Sequence, residues 1–282
     1  MIRLPAVAGQ FYSAAEDELR AAVARVLSND QPQIPAVAAI APHAAMMYSG
    51  SVAGSVYERL ALPSSVILVG PNHTGRGPAV SVFPDGHWVI PGAEIPIDRD
   101  LTARLLSRFS AAHADTTAHQ LEHCLELQLP FLVYGRGMTG AAQGSPRPPK
   151  IVAVVLGTTR LETCRELGVA LAQLVLEETA LGTPPPLLIA SSDMTHYESD
   201  ETTRRKDGFA IEAIKRVDAG GLHATAQQHE ITMCGLGPVV AILTAARAVH
   251  ARWGSLVRYA TSGDVSGDHD RVVGYAGFLI NR

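Results

Sequence analysis

Cysteine is scarce in this 282-residue chain, which has only Cys124, Cys164 and Cys234. An odd, widely spaced set excludes the disulfide framework of a small secreted domain. Each thiol is then a small buried apolar group, a ligand or a nucleophile, and burial is the default for free cysteine. Long apolar runs are also missing, since none approaches the roughly 20 residues that span a bilayer. The opening MIRLPAVAGQFYS lacks the basic start and apolar core of a signal peptide, which predicts a cytoplasmic protein. Charged residues make up only 18% and the formal charge is −4, so no basic footprint marks nucleic acid or an anionic membrane as a partner. Neither CxxC nor HExxH occurs, so no self-sufficient zinc signature exists. What the chain does have is apolar material, at 47%, which is enough for a full core and argues against disorder.

That material is organised around short buried runs. Val66-Ile67-Leu68-Val69 is wholly apolar and rich in β-branching, the pattern of a strand buried on both faces of a parallel sheet. Gly70-Pro71 stops it and puts His73 on the turn that follows. Residues 37–43 (VAAIAPH) repeat the pattern and end in Pro42-His43. Residues 187–196 (LLIASSDMTH) repeat it again and end in two serines, Asp193 and His196. Ligands of open α/β sheets bind beyond the carboxyl ends of the strands, so these three runs predict one shared polar site. Residues 151–156 read as a further buried strand without a terminal histidine.

Helical patterns fill the intervals at 14–27, 100–108, 160–178, 201–217, 222–228 and 239–250, and strands at 256–261 and 271–280 close the chain. This alternation, without repeats or a shift in composition, predicts an α/β fold. The expected form is a single-domain α/β/α sandwich over residues 1–282 with a mostly parallel central sheet. The Gly/Pro-rich stretch 135–150 reads as a surface loop. Residues 1–13 read as irregular and packed on the surface. Residues 121–134 (LEHCLELQLPFLVY) read as a helix carrying Glu122, His123 and Glu126 within one turn, with Pro130 as its kink or stop.

Histidine at two equivalent strand ends favours a ligand role for His43 and His73 over simple turn-capping, because imidazole is the commonest neutral metal ligand. Asp193 and His196, three residues apart, would share one side of a helical turn. They are candidates for a cap, a ligand, an acceptor behind a ligand imidazole, or an acid/base pair. Cys234 opens a helix in a Gly-flanked turn, where the helix N-terminus is expected to lower its pKa towards the thiolate. Cys124 and Cys164 fall in apolar patterns and read as packing groups. Two histidines and one anion with open positions is the arrangement of non-haem iron oxygenases. The anion here is Asp193, Glu122 or the Cys234 thiolate.

Seven segments in fixed order, PAVAGQFY (5–12), APHA…YSG (41–50), GPNHTG (70–75), EHCLELQLPFL (122–132), SSDMTHY (191–197), CGLGP (234–238) and YATSGDVSGD with VVGYA (259–276), resemble the MEMO family. This is the mediator of ErbB2-driven cell motility in animals, called AmmeMemoRadiSam system protein B in bacteria and archaea. The resemblance spans about residues 5–278. It implies an α/β/α sandwich similar to class III extradiol dioxygenases, which are non-haem Fe(II) enzymes. It implies that His43, His73 and Cys234 hold the metal and that His123, Asp193 and His196 line the same pocket. Fe(II) is the implied ion, with copper also described in the family and zinc expected as a crystallographic substitute. AMMECR1-type and radical-SAM proteins are the implied partners. Three positions depart from the family pattern, with Ala45-Met46 where Gly-Tyr is usual and Cys124 where serine is usual.

Three functions are compatible with these residues. The first is a mononuclear non-haem iron or copper oxidoreductase, with His123 or His196 as acid/base on a small-molecule or peptide substrate. The second is a metal-binding adaptor that keeps the pocket without turnover. The third is a cysteine hydrolase using Cys234, His196 and Asp193.

Overall fold

In the computed structural model, which describes residues 1–27, 31–135 and 148–282, the apolar runs form strands and the 3.6-residue patterns form helices. In chain order the strands are β1 (Ile2–Arg3), β2 (Ala38–Ala41), β3 (Ser65–Pro71), β4 (Val80–Val82), β5 (His87–Ile90), β6 (Ala93–Pro96), β7 (His113–Ala114), β8 (Lys150–Leu156), β9 (Leu187–Ser191), β10 (His196–Glu198), β11 (Trp253–Thr261) and β12 (Val272–Asn281). The helices are α1 (Glu16–Val26), α2 (Met46–Tyr57), α3 (Arg99–Arg108), α4 (Leu129–Tyr134), α5 (Leu161–Ala180), α6 (Asp200–Lys215), α7 (Ala219–Gln228), α8 (Leu236–Ala248) and α9 (Gly263–Ser266). No helix among the described residues is long and apolar enough to cross a membrane.

The large sheet has nine strands in the order β10-β12-β2-β9-β3-β8-β4-β7, with β11 also paired to β12. Its centre, β2-β9-β3-β8, is parallel, while β12 and β4 flank it antiparallel. The central strands read as unbroken apolar sequence because helices cover both faces. Alternation then divides each strand between two cores. Ile67, Val69, Val152 and Val154 face a layer built by α3, α5, α6, α7 and α8. Val66, Leu68, Ile151 and Ala153 face α1, α2, α4 and a small sheet of order β1-β5-β6. The expected α/β/α sandwich is what forms.

Register places the site. Ala41 of β2 is level with Ser191 of β9, and Val69 of β3 with Ala190 of β9. His43, Asp193 and His73 each stand two residues beyond the end of their strand, so β9 sets Asp193 between the two histidines at the carboxyl edge.

Several expectations fail for identifiable reasons. Residues 1–13 are largely irregular, as expected, but the segment is not confined to the surface, because β1 pairs with β5 and Arg3 is buried, its guanidinium stacked 4.4 Å from the Trp88 ring. Residues 121–125 are not helical. Arg3 Nη2 takes the Glu122 carbonyl at 2.6 Å and Nε takes the His119 carbonyl at 3.1 Å, and a helix would need the first of these for its own ladder. A short 3₁₀ turn, Glu126–Gln128, leads into α4, where Pro130 sits in the first turn as a starter and not a stop. Asp193 and His196 share no helical turn, since His196 begins β10. The expected loop at 135–150 lies, apart from its ends, outside the described residues.

Two glycines test how tightly the layers close. A Cβ on Gly54 of α2 would lie 2.5 Å from the Val26 carbonyl oxygen at the end of α1, whereas a Cβ on Gly208 of α6 would meet nothing within 4 Å. Gly54→Ala is therefore expected to lower stability by roughly 1–3 kcal/mol despite its better helix propensity. Gly208→Ala should raise stability by about 0.5–1 kcal/mol. Urea unfolding of both variants reads the contrast, and equal shifts of one sign would refute the close approach of α1 to α2.

Candidate metal centre

The floor of the site is His43, 1% exposed, and its protonation pattern follows from a chain of one-way hydrogen bonds. Tyr57 donates to Gln128 Oε1 at 2.9 Å, and Gln128 Nε2 donates to the Pro42 carbonyl at 3.0 Å and to Ser191 Oγ at 2.7 Å. The Ser191 hydroxyl donates to the Cys124 carbonyl at 2.7 Å. Carbonyls only accept, so the Gln128 amide and the Ser191 proton have one orientation each. The contact of His43 Nδ1 with Ser191 Oγ, at 2.9 Å, then has the imidazole as donor. That leaves the lone pair on Nε2, which lies 3.2 Å from Cys234 Sγ.

His73 is set the same way by a different partner. Its Nδ1 lies 2.9 Å from Glu122 Oε1 and its backbone N–H donates to Glu122 Oε2 at 2.6 Å, so Nε2 again carries the lone pair. The same carboxylate accepts the backbone N–H groups of His123 and Cys124. Burial disfavours a charge on Glu122, but the hydrogen bonds from His73 and the Cys124 N–H outweigh it and hold the carboxyl down to about 2. The rings of His43 and His73 meet edge to face at 5.2 Å.

His123 completes one rim. Its ring stacks 4.7 Å from His73, lies 5.5 Å from His43 and takes the edge of Phe11 at 5.0 Å. Its Nδ1 is 3.4 Å from Glu122 Oε1. On the opposite rim, Asp193 Oδ1 accepts the His43 N–H at 2.8 Å and the Asp193 N–H points to Cys234 Sγ at 3.3 Å. His196 is tied to Thr232 through its backbone N–H and its Nδ1.

The six residues singled out in the sequence, His43, His73, His123, Asp193, His196 and Cys234, are thus drawn into one cluster. The donor atoms of His43, His73 and Cys234 lie within 4.8 Å of one another, as do those of His73, Glu122 and His123 and those of Asp193, His196 and Cys234. The first trio offers two imidazole lone pairs and a sulfur, a set that fits a borderline divalent cation. Burial holds His43 well below the usual histidine range, with His123 and His73 adding to the effect, so its ring stays in the neutral, ligating form.

The expectation for Cys234 is overturned. The backbone N–H groups of Asp193, Gly235 and Cys234 do favour the thiolate, but burial and then the Asp193 carboxylate push the thiol up. The polypeptide by itself does not activate this sulfur as a nucleophile, which weakens the hydrolase reading. A metal ion bound to a thiol deprotonates it outright. Burial likewise raises the Asp193 carboxyl and lowers the His123 imidazole.

Sequence reasoning weighed Glu122 only as a possible anion and passed over Ser191, Gln128, Tyr57 and Phe11. Glu122 works 49 residues from His73, and Ser191 works 148 residues from His43, spacings that carry no local signal. Of the departures from the family pattern, Cys124 is buried with its thiol donating to the Pro71 carbonyl at 3.1 Å, against the space left by Gly70. Met46 packs partly buried beside Gly50, and its N–H is fixed by the Phe11 carbonyl.

The Memo-like protein family matches residues 3–279. A MEMO1 family protein of Methanopyrus kandleri is 39% identical over 297 residues, covering 100% of both chains. One of Aquifex aeolicus is 37% identical over 282 residues, covering 99% of both. The crystal structure of an uncharacterised protein from Escherichia coli K12 shares the fold at a TM-score of 0.56 and 13% identity, over 86% of this chain and 98% of that one. With its whole length matched at this level of identity, the chain belongs to the MEMO family.

Proposed function

We propose that the protein is a metal-dependent oxidoreductase whose non-haem iron ion, or copper ion, is held by His43, His73 and Cys234. Its substrate would be a small molecule or a peptide-derived group. The supporting observation is that one ring nitrogen each of His43 and His73 and the Cys234 sulfur lie within 4.8 Å of one another, with Nδ1 of each ring already engaged by Ser191 or Glu122. When bound with open positions, such an ion supplies Lewis acidity and one-electron chemistry towards O₂. The resemblance to class III extradiol dioxygenases points the same way.

The remaining roles belong to the polypeptide. Ser191 and Glu122 hold the ligand tautomers, and the anionic Glu122 makes His73 a stronger donor. His123 is 21% exposed at the side chain and, with no full hydrogen bond at Nδ1, is free to exchange a proton at the mouth. It is the proposed acid/base group for a phenol-like substrate, with Phe11 fixing its ring. Asp193 and His196 stand beside Cys234, on the side away from His123. On the resemblance alone, AMMECR1-type and radical-SAM proteins are proposed as partners.

A non-catalytic metal-binding adaptor is the second reading, favoured by a sulfur donor where the oxygenases use a carboxylate.

Protein purified without oxygen should carry iron. His43→Ala should weaken iron binding at least 100-fold on the order of a lost ligand, and Glu122→Gln by roughly 10–100-fold through the loosened His73 ring. Equal iron affinity in His43→Ala would remove the ligand assignment. Oxygen uptake across a panel of catechol-like substrates separates the two readings. Uptake that falls by roughly 10²–10⁴ in His123→Gln supports the enzyme, and iron-loaded protein without uptake supports the adaptor.

A further inference from the structure

The three donor trios are not separate. His73 belongs to two of them and Cys234 to two, so the donors form one continuous band and not a single cage. At the far end of that band Asp193, His196 and Cys234 bring a carboxylate oxygen, an imidazole nitrogen and a sulfur within 4.8 Å of one another.

Each of these donors is prepared from outside the site. His196 Nδ1 lies 3.0 Å from the Thr232 carbonyl, which can only accept, so Nδ1 carries the proton and Nε2 the lone pair. The Thr232 hydroxyl fixes the backbone of the same residue at 2.8 Å. Asp193 is 5% exposed and uses Oδ1 to accept the His43 N–H, which leaves Oδ2 without a hydrogen bond among the described residues. A thiolate at Cys234 has lone pairs enough to face both ends of the band.

We propose that the centre takes two divalent cations, the second held by Asp193, His196 and Cys234, with the Cys234 sulfur bridging the two. The proposal rests on the reading of His43, His73 and Cys234 as ligands of the first. Paired cations in enzyme sites stand roughly 3.5–4 Å apart, a separation that one shared donor can span. A thiolate, an imidazole and a carboxylate suit zinc(II) or iron(II) and not magnesium or calcium. The pre-set tautomer of His196 is the feature a plain acid/base role does not require.

Zinc(II) is the probe. The full chain is stripped with a chelator, reloaded with excess zinc and desalted, and zinc per chain is measured by mass spectrometry. Wild type should hold two ions. His196→Gln and Asp193→Asn should each hold one, with the affinity of the remaining ion within roughly tenfold of the wild-type first site. Cobalt(II) titration, followed by thiolate-to-metal absorption, should saturate at two equivalents in wild type and one in His196→Gln. A single zinc in wild type, lost in His73→Ala but retained in His196→Gln, overturns the second cation and leaves the first reading standing. No zinc at all overturns both. Two zincs retained in His196→Gln overturn the assignment by placing the second ion elsewhere. The wild-type cobalt end point decides the matter even where a variant fails to fold.

Discussion

Strand register is the constraint on which this centre depends. β9 pairs in parallel with β2 on one side and β3 on the other, at matched depth. Three chain segments far apart in sequence therefore finish at one level and turn outward together. A slip of one residue in β9 would reverse the faces of its side chains and send Ser191 away from His43. The apolar identity of both sheet faces resists such a slip, since Leu188 and Ala190 face one core and Leu187 and Ile189 the other. The core thus does more than stabilise the fold, because its alternation aims the polar ends.

A second layer of determination lies in the hydrogen bonds behind the donors. Carbonyl oxygens of Pro42, Cys124 and Thr232 cannot donate, and each forces a proton onto the group facing it. Ser191 and Thr232 in this way place a proton on Nδ1 of His43 and of His196, and the Glu122 carboxylate does the same for His73, so the Nε2 side of each ring faces away from these partners. A neutral, buried His43 imidazole, an ionised Glu122 and a thiol raised by burial form a set in tension. A cation would relieve that tension by stabilising the thiolate and engaging the free lone pairs.

The fold was legible because its signals are short-range. Unbroken apolar runs such as 66–69 mark strands covered on both faces, and the interval patterns mark helices, so the sandwich follows from alternation alone. The strand-end histidines were legible for the same reason, since each directly follows its own run. The supporting groups were not. Nothing near Gln128 announces Ser191 or Tyr57, because the relation exists only once β9 and α2 are packed. Residues 121–125 misled in the opposite sense, for their pattern is helical while their conformation is decided by Arg3, more than a hundred positions away.

That last contact shows why the chain's beginning belongs to the site. Glu126 accepts Arg3, the N–H groups of Ala6 and Val7, and the Tyr12 hydroxyl, so one buried carboxylate gathers the whole segment from residue 3 to residue 12. Arg3 in turn holds the backbone at Glu122, whose side chain orients His73, while Phe11 bears on His123. The loop carrying Glu122 and His123 has no ladder of its own to keep it in place, and buried carbonyls outside a ladder need other partners. Arg3 supplies them for His119 and Glu122. The orientation of the His73 ring therefore depends on a segment that contributes no residue to the three donor groups.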